Sequence, residues 1–386
     1  MDFRTRCARG TGVVDDVGHP LAPPIVTAST FAFSSQQEVE SYYTGGRGWL
    51  YSRYGNPTVR AAERLLAELE GAQEAALFSS GMAATSTTVL SLVRSGERIA
   101  AQRELYGGTA GLFRDVLPRL GIETTWFALD EIAGLTPEGL EGCRLLWVES
   151  PTNPALRIVD LDAAARAAHA AGALAVVDGT FATPALQRPL ALGCDVVVHS
   201  GTKYLGGHGD VTAGAVAGSR DLMSAIMATR RSLGGTLDPF AAFLLQRGMR
   251  TLAVRMESHE RGASAVARAL SGHPRVRRVL WPGLADHPDH ALAGRQMAGF
   301  GGMVTFEVEG GAAGAERVHD RLRLFAKAAS LGGVESLVSI PARMSHRGLP
   351  PEELERAGVT PGMLRLSVGL ESPEDLVADL LEALGG

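Results

Sequence analysis

The sequence predicts an α/β protein in which a mostly parallel sheet, covered on both faces, is followed by a smaller α+β C-terminal domain. Two observations lead to this fold class. Short apolar, β-branched runs alternate with helical segments between about residues 57 and 203, and repeated strand–helix units form parallel sheets. Beyond about residue 248 a long helical segment replaces this alternation. The 386 residues, 45% hydrophobic and 20% charged, suffice for one large and one smaller core.

The first helix of the repeating region begins where Asn56 can cap it and Pro57 can occupy its first turn. Apolar residues at helical spacing continue to Gly71, a residue suited to end a helix. Short apolar runs then predict strands at 75–78, 99–101, 122–127, 145–148, 174–177 and 196–198. Helical patterns between them include 112–120 and 162–171.

Three segments are expected along the chain. Residues 1–55 are interpreted as an N-terminal arm, because prolines keep it extended and its many aromatic residues suit contact with another subunit. Residues 56–247 form the large domain and residues 248–386 the small one. In the small domain we expect a long helix at 249–270, a strand at 302–308 and a helix at 312–322.

Composition excludes several classes of function. The net charge of −5 and the lack of a basic cluster argue against nucleic acid as a main partner. No signal peptide and no apolar run of transmembrane length is recognised, so no membrane partner is expected. The three cysteines are scattered, which argues against a disulfide framework or a thiolate metal site. A cytoplasmic protein with no metal is therefore expected.

Lys203 is the first candidate for catalysis. It follows the β-branched run 196–198 after the four small or polar residues 199–202, and it precedes a glycine-rich loop. A lysine that a strand delivers into a closed site loses hydration, which lowers its pKa and makes the amine nucleophilic. Such an amine can form a Schiff base with an aldehyde cofactor. Ser200 and Thr202 carry hydroxyls that can hold the phosphate of such a cofactor. The alternative interpretation of Lys203 is an ordinary loop lysine after a strand.

Further polar residues stand at the ends of neighbouring strands. Asp178 and Asn153 each follow a predicted strand, and the small-residue turn at Gly81 opens a helix whose N–H groups can bind an anion. Because ligands bind outside the carboxyl ends of parallel strands, these positions should form one active site with Lys203. Arg365 lies inside an apolar run, where it either binds a carboxylate in bidentate fashion or forms a structural ion pair.

Five motifs give the chain a resemblance to a known family. They are residues 51–58 (YSRYGNPT), 79–82 (SSGM), 149–154 (ESPTNP), 199–204 (HSGTKY) and 365–369 (RLSVG). On these residues the chain resembles the Cys/Met-metabolism enzymes that depend on pyridoxal 5'-phosphate (PLP), a group that includes methionine γ-lyases, cystathionine γ-lyases and cystathionine γ-synthases. The resemblance implies the fold-type-I, aspartate aminotransferase-like architecture and a homotetramer made of two tight dimers.

The resemblance also implies a role for each matching residue. Lys203 would bind PLP covalently and move protons on the substrate, and Asp178 would pair with the pyridine nitrogen. Tyr106 would stack on the ring and exchange a proton with the leaving group. Asn153 would donate to the ring hydroxyl oxygen, and Arg365 would bind the substrate carboxylate, with Ser330 beside it. The phosphate would be held by Gly81, Met82, Ser200 and Thr202, and from the neighbouring subunit by Tyr51 and Arg53.

Departures from the family pattern bear on the substrate. Members that use cystathionine typically carry Glu where this chain has Ala329 and Arg where it has Gly111, so a charged distal group would lack a partner at these positions. An uncharged S-methyl group, as in methionine, needs no such partner. This difference favours a methionine γ-lyase-like activity. Gly108 stands where methionine γ-lyases usually have Cys, and Gly179 and Gly201 replace the family's usual Asn and Ala.

Three alternatives remain beside this choice. A cystathionine γ-lyase and a cystathionine γ-synthase, which replaces the oxygen of an activated homoserine with a thiol, would use the same residues. A non-catalytic PLP-binding protein belongs to another class. It is disfavoured because the lysine, aspartate and arginine of the site are all present and no DNA-binding domain is appended.

Overall fold

The computed structural model describes residues 1–9, 20–45, 48–132, 134–345, 347–348 and 351–385. Its helices are α1 Phe3–Arg9, α2 Gln36–Tyr43, α3 Pro57–Glu70, α4 Gly81–Leu92, α5 Gly107–Gly111, α6 Leu129–Ile132, α7 Leu161–Ala170, α8 Thr183–Leu186, α9 Arg220–Leu233, α10 Pro239–Arg250, α11 Leu252–Leu270, α12 His290–Gln296, α13 Gly311–Arg321, α14 Pro351–Arg356 and α15 Pro373–Leu384.

The strands form two sheets. They are β1 Glu74–Phe78, β2 Arg98–Gln102, β3 Glu123–Phe127, β4 Cys143–Glu149, β5 Leu174–Asp178, β6 Val196–Ser200, β7 Gly214–Gly218, β8 Val276–Leu280, β9 Met303–Val308, β10 Ala326–Lys327, β11 Leu337–Ser339 and β12 Met363–Ser367. The large sheet has the order β1-β7-β6-β5-β4-β2-β3 and the small sheet the order β10-β11-β12-β9-β8.

The large sheet confirms the predicted parallel architecture. Strands β3, β2, β4, β5 and β6 pair in parallel, and only β7 runs against its neighbours β6 and β1. The carboxyl ends of β1, β4, β5 and β6 therefore meet at one edge of the sheet. Sequence reasoning missed β7, whose glycines and alanines carry no β-branched pattern. A glycine is needed at position 214 because a Cβ there would lie 2.0 Å from the carbonyl oxygen of Ser80.

Helix α3 begins and ends as the sequence predicts. The Asn56 side chain accepts hydrogen bonds from the backbone N–H groups of Thr58 and Val59, and Gly71 ends the helix with a left-handed conformation at φ 71°. The small domain also contains the predicted strand and helix, as β9 and α13. The mainly antiparallel small sheet packs its apolar face on α11, α13 and α15.

Two predicted helices differ in the structure. Residues 112–120 do not continue α5 as one α-helix but form a π-helical turn at Leu112–Val116 and a 3-10 turn at Leu117–Leu120, because Pro118 cannot supply the N–H that an α-helix needs. The helix expected at 249–270 is two helices, separated at Thr251. The guanidinium of Arg255 folds back there and donates to Gly248 O at 2.7 Å and to Thr251 Oγ1 at 3.0 Å.

The segment 1–55 is partly packed on its own chain. Helix α1 contacts α3, α10 and α11 and buries Cys7, whereas α2 buries none of its residues. The expected division at 247/248 falls inside α10, and the three-part division stays a proposal. None of the described helices is long and apolar enough to cross a membrane.

Candidate active site

A cavity of about 250 Å³ opens at the carboxyl ends of β4, β5 and β6. Most of the residues that the sequence places in the site line it together. These are Gly81, Met82, Tyr106, Asn153, Asp178, Ser200, Thr202 and Lys203. The expected convergence of strand-end residues is therefore present within one chain.

The N-terminus of α4 forms one wall of the cavity. Ser80 caps the helix by accepting from the backbone N–H of Ala83 at 3.1 Å, so the N–H groups of Gly81 and Met82 in the first turn are left to face an anion. Gly81 lies so close to Ser200 that a Cβ there would be 3.0 Å from the Ser200 Cβ. Only a glycine lets this helix end and the Ser200 hydroxyl share one phosphate-sized space.

The Thr202 hydroxyl also lines the cavity but already has partners. It accepts from the backbone N–H of Ala213 at 3.0 Å and lies 3.2 Å from Ala213 O, to which it donates. These bonds join the turn after β6 to the start of β7. To donate to a phosphate, Thr202 has to release its bond to the Ala213 carbonyl.

Lys203 occupies the turn that follows β6, where its backbone N–H donates to Ser200 O at 3.1 Å. Its ammonium group donates to Ser330 Oγ at 2.8 Å. Desolvation, and next the charge of Arg365, lower the pKa of Lys203 from its usual value. An amine that loses its proton more easily is a better nucleophile towards an aldehyde. The loop-lysine alternative gives no reason for this burial.

Ser330 is held in an unusual backbone conformation. Its φ is 90°, a left-handed value that costs a non-glycine residue on the order of 1–3 kcal/mol. Its hydroxyl accepts from Lys203, and its carbonyl oxygen accepts from Arg365 Nη2 at 3.1 Å. These two bonds keep Ser330 between the lysine and the arginine of the site.

Asp178 ends β5 at the base of the cavity. Its Oδ1 accepts from the backbone N–H of Thr180 at 3.0 Å and from the Thr180 hydroxyl at 2.5 Å. Burial raises the pKa of Asp178. Glu149, its register partner on β4, is a second buried carboxyl. A buried carboxyl at Asp178 suits a cationic ligand group, as a protonated pyridine ring is, because a cation favours the charged form that burial disfavours.

Asn153 and Arg365 are hydrogen-bonded to each other. Arg365 Nη1 donates to Asn153 Oδ1 at 2.8 Å, and because a guanidinium only donates, this bond fixes which end of the amide is oxygen. The Asn153 NH₂ is left to donate towards a ring oxygen. In the described part of the chain the hydrogen bonds of Arg365 go to an amide and a carbonyl oxygen and not to a carboxylate. Desolvation lowers the pKa of Arg365 to about 10.

Tyr106 forms the cap of α5, and its ring is 47% exposed at the cavity mouth. The ring lies across Gly108, where an added Cβ would be 2.5 Å from Tyr106 Cε1 and 3.0 Å from Met82 Sδ. The backbone N–H of Tyr106 donates to Glu149 Oε2 at 2.7 Å. The glycine at 108 therefore permits the ring position seen here.

Tyr51 and Arg53 do not line the cavity of their own chain. Arg53 Nη1 donates to Arg231 O at 2.5 Å, and its guanidinium lies over the rings of Tyr51 and Tyr54, 5.6 and 4.9 Å from their centroids. Tyr51 is 40% exposed. Both side chains are thus displayed on the surface of the single chain.

The other departures from the family pattern have close neighbours. A Cβ at Gly179 would lie 2.9 Å from His199 Cε1, and His199 is itself fixed by a 2.5 Å bond between its Nε2 and Glu70 Oε1. A Cβ at Gly201 would lie 3.1 Å from the Ala213 Cβ. The packing around these positions thus suits glycine.

Sequence reasoning missed two contributors to the site. Thr180 binds Asp178 and also accepts from the backbone N–H of Ser200 at 2.9 Å, which joins the ends of β5 and β6. Glu149, the first residue of the motif at 149–154, has no predicted role in the site, yet it lines the cavity. The signal for Thr180 was its position two residues after an aspartate, where a hydroxyl can bind the carboxylate.

Comparison with known proteins identifies the family. Residues 5–385 match the family described as Cys/Met metabolism PLP-dependent enzyme. The chain belongs to this family. It is 40% identical over 383 residues to an L-methionine γ-lyase of Fusobacterium nucleatum subsp. polymorphum, covering 97% of this chain and 95% of the relative. It is 41% identical over 362 residues to a cystathionine γ-lyase of Dictyostelium discoideum, covering 94% and 92%.

A solved structure confirms the fold. Cystathionine γ-synthase from Xanthomonas oryzae pv. oryzae, in complex with aminoacrylate and cysteine, aligns with a TM-score of 0.93 and 40% identity, covering 100% of this chain and 98% of that one. The chain is therefore a fold-type-I, PLP-dependent enzyme. It catalyses γ-elimination or γ-replacement on a small amino acid, as a carbon–sulfur lyase or a transferase.

Proposed function

We propose that this enzyme is methionine γ-lyase-like and converts L-methionine and water to methanethiol, 2-oxobutanoate and ammonia. The observation that carries this choice is the charge of the cavity wall. Among the described lining residues the charged side chains are Lys203, Asp178 and Glu149. The remaining lining includes Met82, Phe181 and other side chains without charge. A distal group without charge suits this lining best.

The cofactor is held by residues already brought together. PLP, when bound, supplies an electron sink for the carbanion formed at the substrate α-carbon. In the proposal Lys203 holds it covalently, Asp178 faces its ring nitrogen and Asn153 donates to its ring oxygen. The orphan N–H groups of α4 at Gly81 and Met82 bind its phosphate, together with the hydroxyls of Ser200 and Thr202.

The substrate is held and protonated by the remaining residues. Arg365 binds the α-carboxylate in bidentate fashion and exchanges its bond to Asn153 for that contact. Ser330 accepts a hydrogen bond from the Lys203 ammonium, and Lys203 would move the α-proton of the bound substrate. Tyr106, at the cavity mouth, gives the leaving thiolate its proton.

Two positions next to site residues bear on the choice between methionine and cystathionine. Ala329 precedes Ser330, whose hydroxyl accepts from Lys203, so position 329 lies beside the site. Gly111 ends α5, the helix that Tyr106 caps. The distal ammonium and carboxylate of cystathionine find no charged partner at these two positions. Desolvating such a group without a partner costs about 1–3 kcal/mol, which is roughly a factor of 5 to 150.

The assembly is a proposal as well. Tyr51 and Arg53 are displayed on the surface of their own chain, away from its cavity, which supports their role as phosphate ligands of a neighbouring subunit. A homotetramer built from two dimers with shared active sites, in the cytoplasm, completes the proposed enzyme.

Cystathionine γ-lyase and cystathionine γ-synthase are the competing functions, because relatives with those activities are about as similar to this chain as the methionine γ-lyase. The test is the ratio of kcat/KM for L-methionine to that for L-cystathionine, with 2-oxobutanoate as the product measured. A parallel assay supplies an O-acylated homoserine with and without a thiol. A ratio well below one, or turnover only in the presence of the thiol, would reject the proposal. If no substrate gives 2-oxobutanoate, and the homoserine ester with the thiol gives no thioether amino acid either, a non-catalytic PLP-binding protein is favoured.

A variant pair sharpens this test. Ala329→Glu should shift the ratio towards cystathionine by roughly 5- to 150-fold, since it adds a partner for the distal ammonium. Ala326→Glu adds the same charge three residues earlier, on the exposed strand β10, and serves as the control. Equal effects of the two variants would mean that position 329 does not select the substrate.

A further inference from the structure

Glu149 is a buried carboxyl in the wall of the Lys203 cavity that the proposed reaction does not use. It ends β4 and is 5% exposed. Its acceptor positions face backbone N–H groups, that of Tyr106 at 2.7 Å from Oε2 and that of Asn153. The side chain thus contacts the backbone of two residues of the site.

Keeping a carboxyl at this position is costly. Glu149 lies opposite Asp178 in the register of β4 and β5, so two acidic groups share one buried region. Burial, and next the charge of Asp178, raise the pKa of Glu149 well above its usual range. An apolar residue of similar size would avoid this cost, so the oxygen atoms of Glu149 need a reason to be there.

The turn that carries Tyr106 supplies that reason. Tyr106 is the cap residue that precedes the short helix α5, so its own backbone N–H has no acceptor within the helix and can be bound from outside it. Gln102 reinforces the same junction. Its Oε1 accepts from the backbone N–H of Glu149 at 3.0 Å, and its Nε2 donates to Glu104 O at 3.3 Å. The ends of β4 and β2 are therefore bonded to each other, and their side chains bind Tyr106 and Glu104 of the turn.

We infer that Glu149 is a positioning residue that fixes the Tyr106 turn to β4 through its hydrogen bond with the Tyr106 N–H. Its carboxyl acts on the backbone of the turn, and the ring of Tyr106 is thereby held over the cavity. This inference rests on the proposed function, in which Tyr106 protonates the leaving thiolate.

Two variants of Glu149 test this role. Glu149→Gln keeps the length and an oxygen acceptor, whereas Glu149→Met keeps the length and lacks the oxygen. Hydrogen–deuterium exchange on the cofactor-free protein should show the Tyr106 amide exchanging at least about tenfold faster in the Met variant and near the wild-type rate in the Gln variant. In the loaded enzyme the Met variant should lower kcat by at least about tenfold with a smaller change in KM, because Arg365 still binds the carboxylate.

Glu104 provides the matched control. It is another carboxyl with a raised pKa due to burial, and its Oε2 accepts from the backbone N–H of Leu129 at 3.1 Å. Glu104→Met should speed exchange at Leu129 and leave the Tyr106 amide as it is. The inference is overturned if Gln and Met at 149 speed exchange at Tyr106 equally, if neither does, or if both lower kcat alike.

The exchange measurement also separates this inference from the proposed function. It uses no substrate, so a preference for cystathionine would change the choice of substrate for the kcat assay and leave the exchange result valid. If the Met variant fails to fold, hydrogen–deuterium exchange of the wild-type protein still tests the inference. Rapid exchange of its Tyr106 amide, at the rate of an unbonded exposed amide, would refute the role of Glu149.

Discussion

One methyl group added at Gly108 should slow γ-elimination strongly, whereas the same methyl at Gly111 should have little effect. A Cβ at 108 would lie 2.5 Å from Tyr106 Cε1 and 3.0 Å from Met82 Sδ. Carbon atoms in contact need about 3.5 Å, so the Tyr106 ring has to move by about 1 Å. A displacement of about 1 Å at a reacting group can reduce the rate by roughly 100-fold.

Gly111→Ala is the matched control because both glycines belong to α5. A Cβ at Gly111 has Asp115 Oδ2 at 3.9 Å as its nearest neighbour, an ordinary contact. Replacing a helical glycine by alanine there should stabilise the protein by about 0.4–1 kcal/mol. Gly111→Ala should bind PLP normally. Gly108→Ala displaces the Tyr106 ring that would stack on PLP, so its cofactor content has to be measured beside its rate.

The assay compares kcat of the two alanine variants at saturating L-methionine, with the visible absorbance of bound PLP as the measure of cofactor content. We expect Gly108→Ala to lose about 100-fold and Gly111→Ala to stay within about twofold of wild type. If Gly108→Ala stays within a few-fold of Gly111→Ala at equal cofactor content, the position of the Tyr106 ring does not limit the reaction.

Four further outcomes are expected. Borohydride reduction of the loaded enzyme and peptide mapping should find the cofactor on Lys203, and a label elsewhere contradicts its role. Arg53→Ala should weaken cofactor retention by about 1.5–3 kcal/mol, and mixing it with Lys203→Ala should restore activity; no recovery after demonstrated subunit exchange counts against a shared site. Tyr106→Phe should keep the ring packing and lose most γ-elimination activity; a rate within a few-fold of wild type would mean that Tyr106 serves only in packing. Burial lowers the pKa of His259 from 6.5 to about 4, so on acidification the unfolded chain binds a proton at this histidine at a higher pH than the folded chain does. Stability should therefore fall as the pH falls from 6.5 to 4, less so in His259→Asn, as denaturant titrations would show.

Local sequence patterns were sufficient for six strands of the large sheet, β1 to β6, and for the candidate lysine. Strands β1, β4, β5 and β6 are mostly buried within the large sheet, and the residues after them meet at one edge. Lys203, Asp178 and Asn153 could be placed together on this argument alone. Their individual roles came from the family resemblance and are proposals here.

Contacts between distant segments could not be predicted in this way. The register that sets Glu149 opposite Asp178 depends on how β4 and β5 pair, which neither strand specifies alone. The break between α10 and α11 depends on Arg255, which reaches Tyr204 O beside the lysine turn at 2.8 Å. A helical period continues through Thr251 without any sign of this contact. Tertiary packing overrides local propensity at such places.

Helix α11 ties the two sheets into a single folding unit. Its first turns, with Leu252 and Met256, belong to the core beneath the large sheet, and its last turns, with Val266 and Leu270, belong to the core of the small sheet. Loss of either core exposes half of an apolar helix face that the other core alone cannot cover. The free energies of the two cores are therefore coupled through one helix, and we expect the chain to unfold in one cooperative transition despite its two sheets.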